Sequence, residues 1–299
     1  MTKNKLQELT HELSQSQNIC SWLELYSYFT WHKIGFVRKR QFLRITETSI
    51  TQDLAFQLYL LSLSQTLPVK LYESKLENTN GNDLEIFIET PQGYVIFPTQ
   101  AKIIHSNHKY SSIAHKVGGR YQIDLLLNYA KKIKGIPLYL MYNTCLDSKM
   151  YKRVADISGY NIESFGCSIA SAKVVKQEFQ VNSVQDKWKI PNFADIHCSI
   201  AYPLSLLACS FSNLSKENFI NASLLYFNHR DQINFYSTEQ INDDPLWENV
   251  IQVPEIGKLN PNENVRQKNY DQIFNFNPKF RIVFSQKITD GKKGLWALS

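Results

Sequence analysis

The sequence predicts an α/β protein, a mixed sheet flanked by helices, with a helical segment before it and an extension after it. Three observations predict this. Apolar residues Leu54, Leu58 and Leu61 recur at helical spacing after Glu47. Three β-rich stretches follow, at residues 69–76, 83–89 and 94–104. A second helical segment opens near Tyr121 and leads through Gly135 into an apolar run ending at Asn143. From Glu47 the order is therefore α-β-β-β-α-β.

Each element has a local cause. Leu6, Leu9 and Leu13 give residues 3–30 one apolar helical face. A basic knot follows, Arg38, Lys39, Arg40 and Arg44, which is a solvated face or a polyanion patch. Ser49 or Thr51 can cap the helix after Glu47, and Pro68 ends it. Asn and Gly in ENTNGND make a turn, and TPQG connects two strands as a hairpin. Lysines before Gly135 suit the last turn of a helix, where the dipole favours cations. In the second half, residues 168–177 and 203–211 read as helical and 280–288 as a strand. The expected division is an N-terminal helical segment (1–45), a core (46–215) and a C-terminal extension (216–299).

Composition narrows the class. Of 299 residues, 43% are hydrophobic and 20% charged, which excludes global disorder and allows a large packed core. The net charge of +6 tilts mildly toward a polyanionic partner. Five cysteines, odd in number, widely spaced and without CxxC, argue against a disulfide framework or a zinc knuckle. Reduced thiols in a cytoplasmic protein are expected. MTKNKLQELTHEL has no apolar signal core, and the longest apolar run, at 200–211, is too short for a bilayer and holds Pro203. No membrane partner is expected.

The strand faces suggest chemistry. Asp83 and Glu85 share one face of the second strand, with Leu84, Ile86 and Ile88 on the other. On the third strand Gln100 and Lys102 share a face inside the apolar stretch YVIFPTQAKII. Burying an amide and an ammonium there needs partners. The hairpin brings Asp83 near Gln100 and Lys102, so a carboxylate, an amide oxygen and an ammonium meet at one end. Hard oxygen donors suit Mg²⁺, and a lysine beside the metal suits phosphodiester hydrolysis. The plainer alternative is a surface ion pair beside an amide. Other features read plainly too. His105 and His108 form HxxH without partners for zinc, Ser168 and Ser171 lack a neighbouring His and Asp, and Cys167 reads as a core thiol. Val117-Gly118-Gly119-Arg120 before a helix is a hinge or a phosphate cradle.

The pattern Asp83…Gln100-Ala101-Lys102 across a hairpin, preceded by a helix and followed by a helix and strand, resembles the restriction-endonuclease-like PD-(D/E)xK superfamily. It is most similar to the Mrr-like branch, in which glutamine replaces the acid of the (D/E)xK element, and to bacterial proteins that share a QAK strand. The resemblance covers about residues 47–143. It implies a restriction-endonuclease-like αβββαβ core. It implies Asp83 as central metal ligand, Gln100 as second ligand through its side-chain oxygen, a contribution from the Ala101 carbonyl, and Lys102 as catalytic lysine. Glu47 matches the helix-borne acid, with Glu77 as its rival. Glu85, Gln122 and Tyr129 are secondary candidates. The implied function is Mg²⁺-dependent cleavage of DNA, with Mn²⁺ able to substitute, in bacterial restriction or anti-phage defence. DNA is favoured over RNA, and Arg38, Lys39, Arg40, His105, His108, Lys116 and Arg120 are the candidate contacts. A homodimer or a defence-system protein is the expected protein partner. The alternative is a nuclease-like module that binds nucleic acid or a partner without chemistry. Three departures stand out. Asn82 replaces the motif's proline, Gln100 removes a negative charge and so lowers the expected metal affinity, and Pro98 lies two residues before Gln100, where a bulge or strand edge is usual.

Overall fold

The structure is a computed structural model that describes residues 3–16, 18–40, 43–63, 67–74, 84–182, 187–244, 246–250 and 279–285. Asp83 and Glu77 lie outside the described residues.

In chain order the elements are α1 (Lys3–Gln15), α2 (Ile19–Arg38), α3 (Glu47–Leu63), β1 (Val69–Ser74), β2 (Leu84–Thr90) and β3 (Gly93–Ile103). A short hairpin of β4 (Lys116–Val117) and β5 (Arg120–Tyr121) precedes α4 (Gln122–Ile133) and β6 (Leu138–Tyr142). Then come α5 (Ser148–Ser158), β7 (Cys167–Ser171), α6 (Ala172–Phe179), β8 (Gln180–Asn182), β9 (Lys187–Trp188), α7 (Phe193–His197) and β10 (Ala201–Pro203). The last are α8 (Lys216–Phe227), α9 (Thr238–Asn242), β11 (Trp247–Asn249) and β12 (Phe280–Phe284).

One mixed sheet organises the protein, in the order β10-β7-β6-β3-β2-β12-β1-β11. β3 runs antiparallel to β2 and parallel to β6. β1 does not touch β2, because β12 lies between them, parallel to β2 and antiparallel to β1. The C-terminal segment therefore contributes an interior strand of the same sheet.

Alternation along the strands divides the core. Val95, Phe97 and Ala101 of β3, with Leu138, Leu140 and Tyr142 of β6, face one cluster with Leu54 and Leu58 of α3 and Trp22 and Tyr26 of α2. Tyr139 and Met141 of β6 face the opposite side, with Ile123 and Leu126 of α4. Tyr94 and Ile96 of β3 face that side too, in a third cluster with Phe87 and Val283. Each fully buried aliphatic side chain contributes about 1.5–3 kcal/mol. Gln100 and Lys102 are also buried on the side of β3 opposite Ala101, so this strand face turns from apolar to polar at its carboxyl end.

Pro98 causes no bulge. It sits opposite Glu85 of β2, and pairing with β6 begins only at Thr99. Its ring faces Gly135, where an added Cβ would lie 3.0 Å from Pro98 Cδ and 2.8 Å from the Ile96 carbonyl oxygen. The missing N–H thus falls where β6 has not yet started.

Several expectations are corrected. Residues 168–171 form β7, and a helix follows only from Ala172. β7 lies between β6 and β10 with every residue buried, so it shows no alternation to read. Residues 201–203 are β10, so the helical part of 203–211 begins only at Ser205 and passes into a π turn at Leu207–Phe211. The first 30 residues split into two helices, where Asn18 caps α2 by accepting from Ser21 N–H at 2.8 Å. The thiols are not all reduced. Cys20 and Cys209 form a disulfide with Cα atoms 5.0 Å apart, and their separation of 189 residues leaves no local signal. No helix among the described residues is long and apolar enough to cross a membrane.

Candidate active site at the carboxyl end of the third strand

β3 carries Lys102 to the end of the sheet where β2 and β12 begin. The side chain is 3% exposed, and its ammonium donates to Gln122 Oε1 at 3.0 Å. Gln122 is the first residue of α4, and its own N–H donates to the His115 carbonyl at 3.0 Å. The loop after β3 is thereby tied to the helix that holds Lys102.

Glu47 enters from the first turn of α3 and is partly buried. Burial pushes its carboxyl above the ordinary carboxylate value, against the Lys102 ammonium and a hydrogen bond from the Ile103 backbone N–H. Thr51, one turn on, hydrogen-bonds the Tyr142 hydroxyl at 2.9 Å and pins this turn to the end of β6.

These groups border a cavity of about 430 Å³. Glu47, Thr48, Thr51 and Gln52 line it from α3, Lys102 from β3, Ser112 and His115 from the following loop and Gln122 from α4. Lys279 and Phe280 line it from the start of β12. Gln100 lies behind Lys102 on the same strand face, 1% exposed, and its Oε1 has no hydrogen-bond partner among the described residues. An orphaned buried oxygen of this kind costs about 1–3 kcal/mol unless something binds it.

The sequence-predicted residues therefore separate. Glu47, Lys102 and Gln122 line one cavity, with Gln100 adjacent on the strand. Ala101 points into the apolar core, which leaves only its backbone for the proposed contact. β2 is described from Leu84, opposite Thr99, so Asp83 precedes the described strand in sequence. Glu85 and Tyr129 belong elsewhere. Tyr129 donates to Glu85, which pairs with Arg281 Nε at 3.2 Å, and Arg281 reaches Asp244 at 2.9 Å. The Arg281 guanidinium lies 4.8 Å from the Phe87 ring and 4.3 Å from the Trp247 ring. Gln122 and Tyr129, expected on one helix face, thus serve different clusters. A second cavity of about 220 Å³ lies at this network.

The candidate DNA contacts also divide. The Arg38 guanidinium turns inward and donates to the Ile104 carbonyl, and Arg40 lies 4.8 Å from the Phe36 ring. Lys39, His105 and Arg120 are exposed. Lys116 lies 4.5 Å from the Tyr121 ring, and His108 adopts a left-handed φ of 58°. His105, His108, Lys116 and Arg120 share the loop that supplies Ser112 and His115 to the cavity, and Arg38 bonds the loop's first residue. These residues stand at the same end of the sheet as Lys102.

Sequence reasoning missed Lys279, Phe280, Ser112 and Thr48. The His115 loop position and the Glu47 to Thr51 helical spacing were available signals, whereas Lys279 arrives through a distant strand. It also missed a partner for Ser168. His197 Nε2 lies 2.8 Å from Ser168 Oγ, and Nδ1 donates to the Phe193 carbonyl at 2.9 Å. Asn143 Nδ2 donates to Ser168 Oγ at 3.0 Å. Ser168, His197 and Asn143 are at most 1% exposed, and the position beyond Nδ1 is a backbone carbonyl rather than a carboxylate. This is a buried, hydrogen-bonded core network.

The model of a family of unknown function, DUF6615, matches residues 19–282. No curated protein and no solved structure matches the chain.

Proposed function

The chain belongs to this DUF6615 family, and we propose that it is a metal-dependent endonuclease with a restriction-endonuclease-like core that hydrolyses DNA phosphodiester bonds. The observation that carries the reading is Gln100. A buried amide oxygen left without a partner, two residues before a buried lysine at a cavity edge, is the donor that the resemblance assigns to a metal. Its chemistry fits Mg²⁺, a hard cation that takes neutral and anionic oxygens. Gln100 Oε1 and the Glu47 carboxylate are the described donors. Asp83, outside the described residues, is the proposed third. Among the described residues no three His, Cys, Asp or Glu side chains could hold a metal ion together, so the site depends on Asp83 and the amide. When bound, Mg²⁺ would polarise the phosphoryl group and acidify a coordinated water.

The chain's own residues do the rest. Gln122 fixes the Lys102 ammonium, which orients the attacking water or neutralises charge that develops on the phosphoryl oxygens. Glu47, held by the Ile103 N–H, places a carboxylate beside that ammonium. The exposed cations of the loop after β3 suit a phosphate backbone. The role in restriction or anti-phage defence, and a homodimer or defence-system partner, extend the same resemblance.

The test is supercoiled plasmid incubated with the purified chain and Mg²⁺ or Mn²⁺. Nicking that is lost in Lys102→Ala and in Asp83→Ala, with the thermal melt retained, supports the reading. Cutting that survives both substitutions removes the site. A second reading, a binding module without chemistry, is favoured by one feature, the amide at Gln100 in place of a carboxylate. Salt-sensitive DNA binding without cleavage in either metal would select it.

A further inference from the structure

The interior position of β12 has a chemical result. Phe280 pairs with both Glu73 and Leu84, and the Lys279 carbonyl accepts the Ser74 N–H at 3.0 Å, so the backbone of Lys279 is fixed between two neighbouring strands. Lys279 lines the cavity that Lys102 enters from β3. The two lysines play different parts. Lys102 is buried and spends its ammonium on Gln122. Lys279 is partly exposed, and its ammonium lies 5.3 Å from the Phe280 ring with no carboxylate partner among the described residues. Among the described residues the charged side chains lining the cavity are two lysines and Glu47. Among the described residues that balance leaves one cation over, on a backbone held in the sheet.

We infer that Lys279 is a substrate-binding residue that holds a backbone phosphate of the nucleic acid beside the one attacked. A lysine ammonium is a compact point charge suited to a single phosphate oxygen. The inference rests on the nuclease reading and adds a contact from the C-terminal strand that lies outside the Gln100–Lys102 hairpin. It names Lys279 as a contact to substrate, with no part in proton transfer.

The experiment is fluorescence anisotropy of a labelled DNA duplex, titrated with the full chain in EDTA over a series of KCl concentrations. Wild type, Lys279→Gln and Lys279→Arg are compared. Each phosphate contact contributes about 0.9 to the slope of log affinity against log salt. Lys279→Gln is expected to flatten that slope by about 0.9, uniformly across duplex sequences, and Lys279→Arg to restore it. A slope in Lys279→Gln equal to wild type overturns the inference. If wild type nicks plasmid with Mg²⁺ at the same time, the nuclease reading stands without it. Failure of wild type to bind DNA at any salt overturns both. A melt of Lys279→Gln that matches wild type assigns a flattened slope to loss of charge and not to loss of the β12 ladder.

Discussion

Lys102 Nζ donates to Gln122 Oε1 across 3.0 Å, and this one bond joins the end of β3 to the first residue of α4. A buried ammonium needs such an acceptor, because an unmet charged donor forfeits its solvation without return. Gln122→Leu is expected to lower stability by about 1–3 kcal/mol, read from the urea midpoint. It is also expected to slow plasmid nicking, since the ammonium loses its orientation. Gln122→Glu keeps an acceptor and should recover most of the stability. A Leu variant as stable as wild type would show that the bond has no structural weight.

Glu47 sets a pH dependence. Burial raises its carboxyl in the folded chain above the value of the unfolded chain. The unfolded chain therefore releases its proton first as pH rises. Stability from this group is complete below the unfolded value and falls as pH rises through the folded value. Glu47→Gln removes the term. The melting temperature of the variant should exceed that of wild type at neutral pH, and the gap should close as pH drops below the carboxylate range. A gap that widens in acid would reverse the sign assigned to Glu47.

His197 titrates in the opposite sense. Burial lowers its imidazole to about 3, so it stays neutral in the fold while the unfolded chain takes up a proton near its ordinary value. Its contribution is full above that ordinary value and is lost as pH falls toward about 3. NMR of the imidazole should show one neutral tautomer, protonated at Nδ1, from pH 8 down to acid unfolding. A ring that titrates near 6.5 in the folded chain would contradict the burial of the Ser168–His197 pair.

Gly166 is a packing requirement. A Cβ there would lie 1.8 Å from the Ser27 carbonyl oxygen and 2.7 Å from Trp31 N, both backbone atoms of α2. No side-chain rotation relieves that clash, so α2 must shift. Gly166→Ala is expected to cost more than about 3 kcal/mol, beyond the usual range for a point substitution. A denaturation midpoint within experimental error of wild type would refute the close approach.

The mixed α/β architecture was legible where the cause was local. Leu54 and Leu58 carried a helical period, and the alternation of Ile86 and Ile88 against Glu85 carried a strand. The turn residues between Thr90 and Gly93 set the hairpin that pairs Glu85 with Pro98. Three features were hidden because their partners are distant in sequence. Nothing near Phe280 signals that it will pair with Leu84, the Cys20–Cys209 bond spans the helical N-terminus and a π turn, and fully buried Ser168 to Ser171 lost the polar face that marks a strand. At the site, Lys102 and Gln122 were nameable because YVIFPTQAKII breaks its own apolar pattern and α4 starts on a glutamine. Their cavity neighbours Lys279 and Ser112 break no pattern and could be seen only in three dimensions.

The sheet order also sets a schedule for synthesis. β2 and β3 can pair as soon as their hairpin leaves the ribosome, but β1 meets β2 only through β12, more than half the chain later. A nascent chain held before Phe280 has β1 without its neighbour on that side and a cavity without the Lys279 wall. Late closure of a long-range strand is slow and exposes an edge while it waits. It also means that the pocket around Lys102 gains its last wall only after translation has passed Phe280, so the growing polypeptide carries that cavity unfinished for most of its synthesis.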